Sequence, residues 1–249
     1  MAGELEWTFF GRVLPERVPV TVEILGIRMG EAALDLRIHL SQITAVLRAP
    51  DAWNDAFTVR NTLDSFVRSV LDLIGYDRGI SFDVEFISCL NSVGGWWSFG
   101  AEVPVLFLRK QSPASEINGD TFNLFLADPS ALIALSDFRE AMRVPMQTGF
   151  FCYRAVEAMM QGEKARPEDK DGPAWERIRA ALHLEKSALD FIKGYADWAR
   201  HGRTGEISDS DRAKLFVLTD EIIARYLRYI VGGRVPLSAA ENPLLSRPT

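Results

Sequence analysis

The amino-acid sequence predicts an α+β protein in which a β-rich region precedes a helical region. Apolar residues alternate with polar ones through roughly the first 125 residues, and a three-to-four-residue apolar spacing interrupts this alternation once. The same helical spacing then dominates the remainder of the chain. We therefore expect an N-terminal β-rich domain with one helix at residues 1–127, a C-terminal helical bundle at residues 128–233 and an irregular tail at residues 234–249.

The strands are predicted from alternation. In residues 33–40 aliphatic side chains alternate with charged or polar ones, which is typical of a half-buried strand. Residues 18–25 precede it, and Gly30 between the two segments favours a hairpin. Residues 81–90 alternate again, and residues 103–108 add a short apolar run to the β-rich region.

One helix is predicted within the β-rich region, because apolar residues recur at helical spacing from Val59 to Ile74 and Gly75 then supplies an end signal. Residues 91–97 form a glycine-rich segment with two tryptophans. No lysine follows its glycines as a P-loop requires. A turn with packed tryptophans and a ligand platform both stay open.

The helical region opens at Asp128 and Pro129, a residue pair typical of a helix start. The charged segment at residues 162–172 predicts a solvated loop, and Ser208 is placed to cap the last helix. The expected helices are 130–142, 145–162, 173–184, 186–201 and 209–231.

Composition restricts the function classes. The 34 Asp and Glu residues outnumber the 28 Lys and Arg residues, and the formal net charge of −6 argues against broad non-specific binding to duplex nucleic acid, although a local basic patch stays open. The N-terminal segment carries glutamates and no long apolar run, so a signal peptide and a membrane span are not expected. Cys89 and Cys152 lie in apolar runs and are predicted to be buried free thiols of a cytoplasmic protein.

Metal and cofactor motifs are absent from the sequence. Its three histidines and two cysteines show no metal-ligand spacing, and neither a Gly-x-Ser-x-Gly elbow nor a Gly-x-Gly-x-x-Gly fingerprint occurs. We therefore expect no metal and no cofactor.

One constellation that points to chemistry lies near residue 200. Lys193, Asp197 and His201 are spaced i, i+4 and i+8, so they lie along one helix face. A carboxylate one turn back and the helix C-terminus both favour the imidazolium, and Arg200 and Arg203 could bind an anion such as phosphate. The alternative is an ordinary helix C-terminus in which these cations complement the helix dipole.

A second constellation is the Arg154–Glu157 pair at i, i+3 beside Tyr153. A charged pair inside an otherwise apolar helix predicts a buried or interfacial ion pair, which either orients groups from another helix or fixes packing.

These two segments, YRAVE at residues 153–157 and WARHG at residues 198–202, resemble the HEPN superfamily in its ApeA-like bacterial branch, over roughly residues 130–232. The resemblance implies a bundle of about four to five helices, commonly a homodimer. Active members are metal-independent ribonucleases of toxin–antitoxin, abortive-infection and antiphage systems. Their motif is an Arg, a polar residue that is usually Asn, four to six further positions and then His.

Here His201 and Gly202 match the motif, whereas residues 193–200 contain no Arg-Asn pair, and Lys193 and Asp197 stand in its place. The resemblance implies that the catalytic residues are His201, Arg200 and Asp197, and that the substrate-binding residues are Arg154, Lys193 and Arg203. Glu157 and Tyr153 would orient them. We expect RNA or nucleotide binding, with or without endoribonuclease activity, in antiphage defence, toxin–antitoxin or stress response. The alternative is a non-catalytic regulatory or scaffolding module that binds a partner protein.

Overall fold

The computed structural model describes residues 4–100, 103–110, 119–201 and 207–248, arranged in two units, Met1–Ala101 and Glu102–Thr249. The first unit is an antiparallel sheet with a helix, and the second is helical, which confirms the α+β prediction at this level. The sequence placed the boundary after residue 127. It lies earlier in the structure because the helices that precede residue 127 group with the second unit.

The first unit contains a six-stranded sheet in the order β2-β3-β4-β1-β5-β6. Every recorded strand pair is antiparallel. The elements in chain order are β1 (Glu4–Leu14), β2 (Val22–Met29), β3 (Ala32–His39), β4 (Gln42–Pro50), α1 (Ala56–Arg78), β5 (Asp83–Asn91) and β6 (Trp96–Ser98).

The β2–β3 hairpin confirms the predicted role of Gly30. Met29 pairs with Ala32, so Gly30 begins a two-residue turn, and its φ of 60° is a left-handed conformation that glycine adopts without strain. Three strands, β1, β4 and β6, were not predicted individually. One of them, β1, lies at the centre of the sheet between β4 and β5, a position that depends on pairing with distant segments.

Helix α1 packs against the buried face of this sheet, where Val59, Leu63 and Val67 join Trp7 and Leu36 in one apolar core. The Asp55 side chain accepts hydrogen bonds from the first-turn amides of α1. The prediction that Gly75 ends the helix is wrong.

Gly75 is buried inside α1, where a Cβ would meet the carbonyl oxygen of Ile80. The helix ends instead at Gly79, whose φ of 65° is left-handed.

Within the glycine-rich segment at residues 91–97, residues 92–95 form the turn between β5 and β6. The Trp97 ring packs 5.2 Å from the Trp7 ring, between centroids, as the packed-tryptophan interpretation expects. Trp96 is 60% exposed and stacks on Phe10 at 6.4 Å.

The apolar run at residues 103–108 is helical and not part of the β-rich region. Pro104 begins a helix here, and the run has no polar alternation that would favour a strand. The helices of the second unit are α2 (Pro104–Lys110), α3 (Gly119–Leu126), α4 (Pro129–Arg143), α5 (Thr148–Gln161), α6 (Asp171–Leu182), α7 (Lys186–Arg200) and α8 (Asp209–Val231), with a 3-10 turn at Pro145–Gln147. The five predicted helices are confirmed within a few residues at each end.

Helix α5 packs against α4, α7 and α8. Its buried Cys152, Val156 and Met159 lie in one core with Ile192 of α7 and Leu215 of α8. Burial of each such aliphatic side chain stabilises the unit by about 1.5–3 kcal/mol before conformational entropy is counted. The packing of α5 on α7 therefore fixes the relative positions of the residues they carry.

Gly149 allows α5 to approach α7 closely. A Cβ at this position would lie 2.9 Å from the carbonyl carbon of Tyr195, closer than real Cβ atoms come to such neighbours. The missing side chain thus sets the distance between the two helices.

Arg234 connects the segment after α8 to the rest of the helical unit. Its guanidinium donates to Asp128 Oδ2 at 2.6 Å and to Glu163 Oε1 at 2.7 Å, and it lies over the rings of Tyr226 and Tyr229. Residues 234–248 contain no helix or strand, and Leu245 forms an isolated bridge with Leu184.

Candidate anion-binding site

Tyr153 on α5 lies between groups from two other helices. The Arg200 guanidinium carbon, at the end of α7, is 6.0 Å from the centre of the Tyr153 ring. On α6, the Trp175 ring stacks with Tyr153 at 6.2 Å between centroids and 27° between planes. The packing of α5, α6 and α7 therefore assembles an aromatic pair with a cation over the Tyr153 ring.

Carboxylates also surround Tyr153. Burial raises the pKa of its phenol, and Glu157, Asp197 and Asp171 raise it further, whereas Arg200 acts in the opposite direction. The phenol therefore stays protonated near neutral pH and can donate a hydrogen bond. Four residues singled out from sequence, namely Tyr153, Glu157, Asp197 and Arg200, thus interact within one region of the bundle.

A cavity of about 220 Å³ opens beside the aromatic pair. We call it the aromatic–basic cavity. Its lining residues come from α5, α6 and α7, and they are Tyr153, Trp175, Arg179, Lys186, Leu189, Asp190 and Lys193. Lys193 and Tyr153 are the two that the sequence singled out.

The charges in the aromatic–basic cavity are available to a ligand. Lys186, Asp190 and Lys193 are exposed, and none of their side chains forms a hydrogen bond or an ion pair with any residue that the structure describes. Arg179 donates from Nε to the Trp175 carbonyl oxygen at 3.3 Å. Among the side chains that line the cavity, three cations outnumber one carboxylate, and this excess favours an anion.

His201 lies exposed just after α7. Its backbone amide donates to the Asp197 carbonyl oxygen at 3.1 Å, and its imidazole forms no hydrogen bond with a described residue. Arg203 lies outside the described residues. Convergence of the imidazole with Arg200 and Arg203 on one anion therefore stays a prediction.

Arg154 has a different partner from the predicted one. It does not pair with Glu157; its Nη2 forms an ion pair with Asp137 Oδ1 on α4 at 3.3 Å, and its guanidinium lies over the Phe150 ring. Asp137 is 6% exposed, so its charge requires a nearby cation more than the half-exposed Glu157 does. The prediction of an Arg154–Glu157 pair is therefore wrong, and the ion pair that Arg154 does form connects α5 to α4.

Family models match both units of the chain. The N-terminal domain of DUF8168, a domain of unknown function, matches residues 7–99, and the C-terminal domain of DUF8168 matches residues 119–231. The chain belongs to the DUF8168 family. Neither a curated protein nor a solved structure matches it. In this DUF8168 protein, the C-terminal match includes every residue of the aromatic–basic cavity.

Several cavity residues of the DUF8168 protein escaped the sequence analysis. Trp175 is one of them: it is only partly buried and lines the cavity. Lys186 and Asp190 extend the spacing of Lys193 and Asp197 backwards by two turns, since positions 186, 190, 193 and 197 share one helix face. That spacing was a usable signal, but the neighbouring helix that completes the cavity could not be identified from it.

Within the described parts of this DUF8168 protein, no group of three or more His, Cys, Asp or Glu side chains is arranged to hold a metal ion. The helices among the same residues include none with the length and apolar character needed to span a membrane.

Proposed function

We propose that the helical unit is a HEPN-like domain that binds RNA or a nucleotide through the aromatic–basic cavity and the adjoining end of α7. The observation that carries this proposal is the Arg200–Tyr153 contact beside a cavity with two lysines, Lys186 and Lys193, whose side chains have no partner among the described residues. Phosphates bind to lysine and arginine, and unpaired bases stack on aromatic rings. Both kinds of group occur here side by side.

The positive excess matters because the whole chain is acidic. With a net charge of −6, the protein would attract phosphate only where cations are concentrated locally. Lys186 and Lys193 on α7, with Arg179 from α6, supply that concentration. Arg200 continues it along α7 to the helix end.

The catalytic form of the proposal is a metal-independent endoribonuclease. His201 would take the proton from the attacking 2′-hydroxyl or give one to the leaving oxygen, and Arg200 would stabilise the charge that develops on phosphorus. Asp197, one helical turn before His201, would be the third catalytic residue. Lys193, Arg203 and Arg154 would contact the substrate, and Glu157 and Tyr153 would orient these groups.

The setting that we propose is cytoplasmic, in antiphage defence, a toxin–antitoxin pair or a stress response. Cleavage of total RNA by the wild type and by His201→Ala, in the presence of a chelator, tests the catalytic form. Cleavage by the wild type that is lost in His201→Ala supports it. Indistinguishable cleavage patterns for the two proteins contradict the nuclease form of the proposal and leave RNA binding as the function. Binding is then measured with a labelled single-stranded oligonucleotide.

A second candidate is a non-catalytic regulatory or scaffolding module, and a specific observation favours it. Helices α2, α3 and α4 expose large apolar side chains, including Phe107, Leu108, Leu126 and Ile133. Such exposure is common at protein–protein interfaces. We propose a second copy of this chain as the partner, in a homodimer.

The homodimer is tested by light scattering of the wild type and of Ile133→Glu after size-exclusion chromatography. A dimer that dissociates in the variant supports this interface. A wild-type monomer at high concentration contradicts it. If the protein acts only as a scaffolding dimer, Ile133→Glu should abolish its function in the cell. Arg200→Ala and His201→Ala should then retain that function.

A further inference from the structure

We propose that the aromatic–basic cavity recognises guanine, with Asp190 as the residue that selects guanine over adenine. This inference rests on the proposed RNA or nucleotide binding and adds the identity of the base. The observation behind it is a carboxylate placed between two lysines that does not pair with either of them.

The cavity has the size and walls for one planar group. Its volume of about 220 Å³ is below the ~300–1,000 Å³ typical of pockets for drug-sized ligands, so it admits a single base and not a folded oligonucleotide. Trp175, Tyr153 and Leu189 supply flat or apolar contact surface. A nucleobase is planar and can stack on an aromatic ring while its sugar and phosphate stay outside.

Asp190 is the one carboxylate among the basic side chains that line the cavity. Lys186 lies four residues before it and Lys193 three residues after it, positions from which helical ion pairs commonly form. Neither lysine reaches ion-pair distance of the Asp190 carboxylate. Since none of these three side chains has a partner among the described residues, the carboxylate can accept hydrogen bonds from a ligand and the two lysines can bind its phosphate.

The donor pattern of guanine fits this arrangement. Guanine carries N1–H and the 2-amino group side by side, so both can donate to the two oxygens of one carboxylate. Adenine has an acceptor at N1, which a carboxylate repels. On the other edge of guanine, O6 and N7 are acceptors that suit an arginine, and Arg179 lines the same cavity. Phosphate contacts alone would not distinguish the bases.

The experiment is calorimetric titration of the full chain with GMP, IMP and AMP. We expect GMP to bind about tenfold or more tightly than AMP, because hydrogen bonds to a charged group are lost with adenine. IMP lacks the 2-amino group and should fall between them. Asp190→Asn should abolish the preference, and Glu168→Gln, which removes an exposed carboxylate outside the cavity, should retain it.

Quenching of Trp175 fluorescence locates the site. Wild type should be quenched by GMP, and Trp175→Phe should lose the quenched component. Equal affinity for GMP and AMP in the wild type, or an undiminished preference in Asp190→Asn, overturns the guanine assignment.

The source of the guanine is distinguished with the pentanucleotides UUGUU and UUAUU. Tight binding of UUGUU with weak binding of GMP supports recognition of guanine within RNA, whereas comparable binding supports a free nucleotide as sufficient. Equal binding of both pentanucleotides and all mononucleotides overturns the guanine inference alone. Failure of every nucleotide and RNA to bind overturns the proposed function as well.

Discussion

The guanidinium of Arg200, the last residue of α7, is 6.0 Å from the centre of the Tyr153 ring on α5. The contact joins Tyr153 and Arg200, which are 200 − 153 = 47 positions apart in the chain. Since Arg200 remains exposed, one face of its guanidinium can contact the ring while its N–H groups bind a phosphate. A contact of this kind preorganises the cation without consuming its hydrogen-bonding capacity.

Removing a cation from this region should weaken RNA binding. Arg200→Ala and Lys193→Ala are each expected to lower affinity for single-stranded RNA and to reduce the slope of log affinity against log salt by about 0.7. Fluorescence anisotropy across a salt series measures both. Arg139→Ala is the matched control, because Arg139 is an exposed helical arginine paired with Glu140 and lies outside the aromatic–basic cavity. A loss as large in the control would show that net charge alone governs binding.

Adding a methyl group at Gly149 should disturb the packing of α5 on α7. Gly149→Ala is expected to lower the free energy of unfolding by about 1–3 kcal/mol, because the new Cβ collides with the Tyr195 backbone. Displacement of α7 should also weaken RNA binding, since Arg200 and Lys193 lie on that helix. Chemical denaturation and anisotropy measure the two effects.

Gly194→Ala provides the comparison on the same helix. A Cβ at Gly194 would have no atom of the described residues within 4 Å, so this variant should be stabilised by about 0.5–1 kcal/mol through helix propensity. If both glycine variants behaved alike, the close approach at Gly149 would not be limiting.

Tyr226 should make the protein less stable at alkaline pH. Burial first, and the charge of Asp128 second, raise the pKa of Tyr226 from its ordinary value of 10.0 to about 12. Between these values the unfolded chain releases the phenol proton while the folded chain keeps it, so the free energy of unfolding decreases as pH rises. Below about pH 10 the contribution is fully present.

Tyr226→Phe removes this titration. The variant should lose about 0.5–1.5 kcal/mol near neutral pH, because the hydroxyl interacts with Asp128 and Arg234. Its stability should then fall less steeply than that of the wild type above about pH 10. Denaturation curves at a series of pH values compare the slopes. Parallel curves would exclude Tyr226 as a source of the alkaline dependence.

Both cysteines should resist modification in the native state. Cys89 and Cys152 are fully buried, and burial raises the pKa of each thiol to about 12. The reactive thiolate is therefore scarce at about pH 8, and reagent access is blocked. Titration with a chromogenic disulfide should detect no fast thiol in the native protein and both thiols after denaturation. A fast native reaction would place at least one cysteine at the surface.

The helices and the half-buried strands were largely predictable from the sequence. The apolar spacing of α4 to α8 follows from 3.6 residues per turn. The positions at which α4 and α8 begin follow from the N-terminal capping side chains of Asp128 and Ser208. The alternation in β3 follows from the two-residue repeat of a strand. These signals are local, so they identify the faces of each element.

The spacing of Lys193, Asp197 and His201 likewise predicted that these residues lie along one helix face, with Arg200 adjacent. Tertiary structure alone decided which neighbours these faces meet. It placed Trp175 against Tyr153, gave Arg154 the buried Asp137 as its partner, and positioned β1 at the sheet centre. Such contacts join segments far apart in the chain, and they depend on the shapes that remain after the apolar faces are buried. The periodicity of a single segment therefore does not predict these contacts.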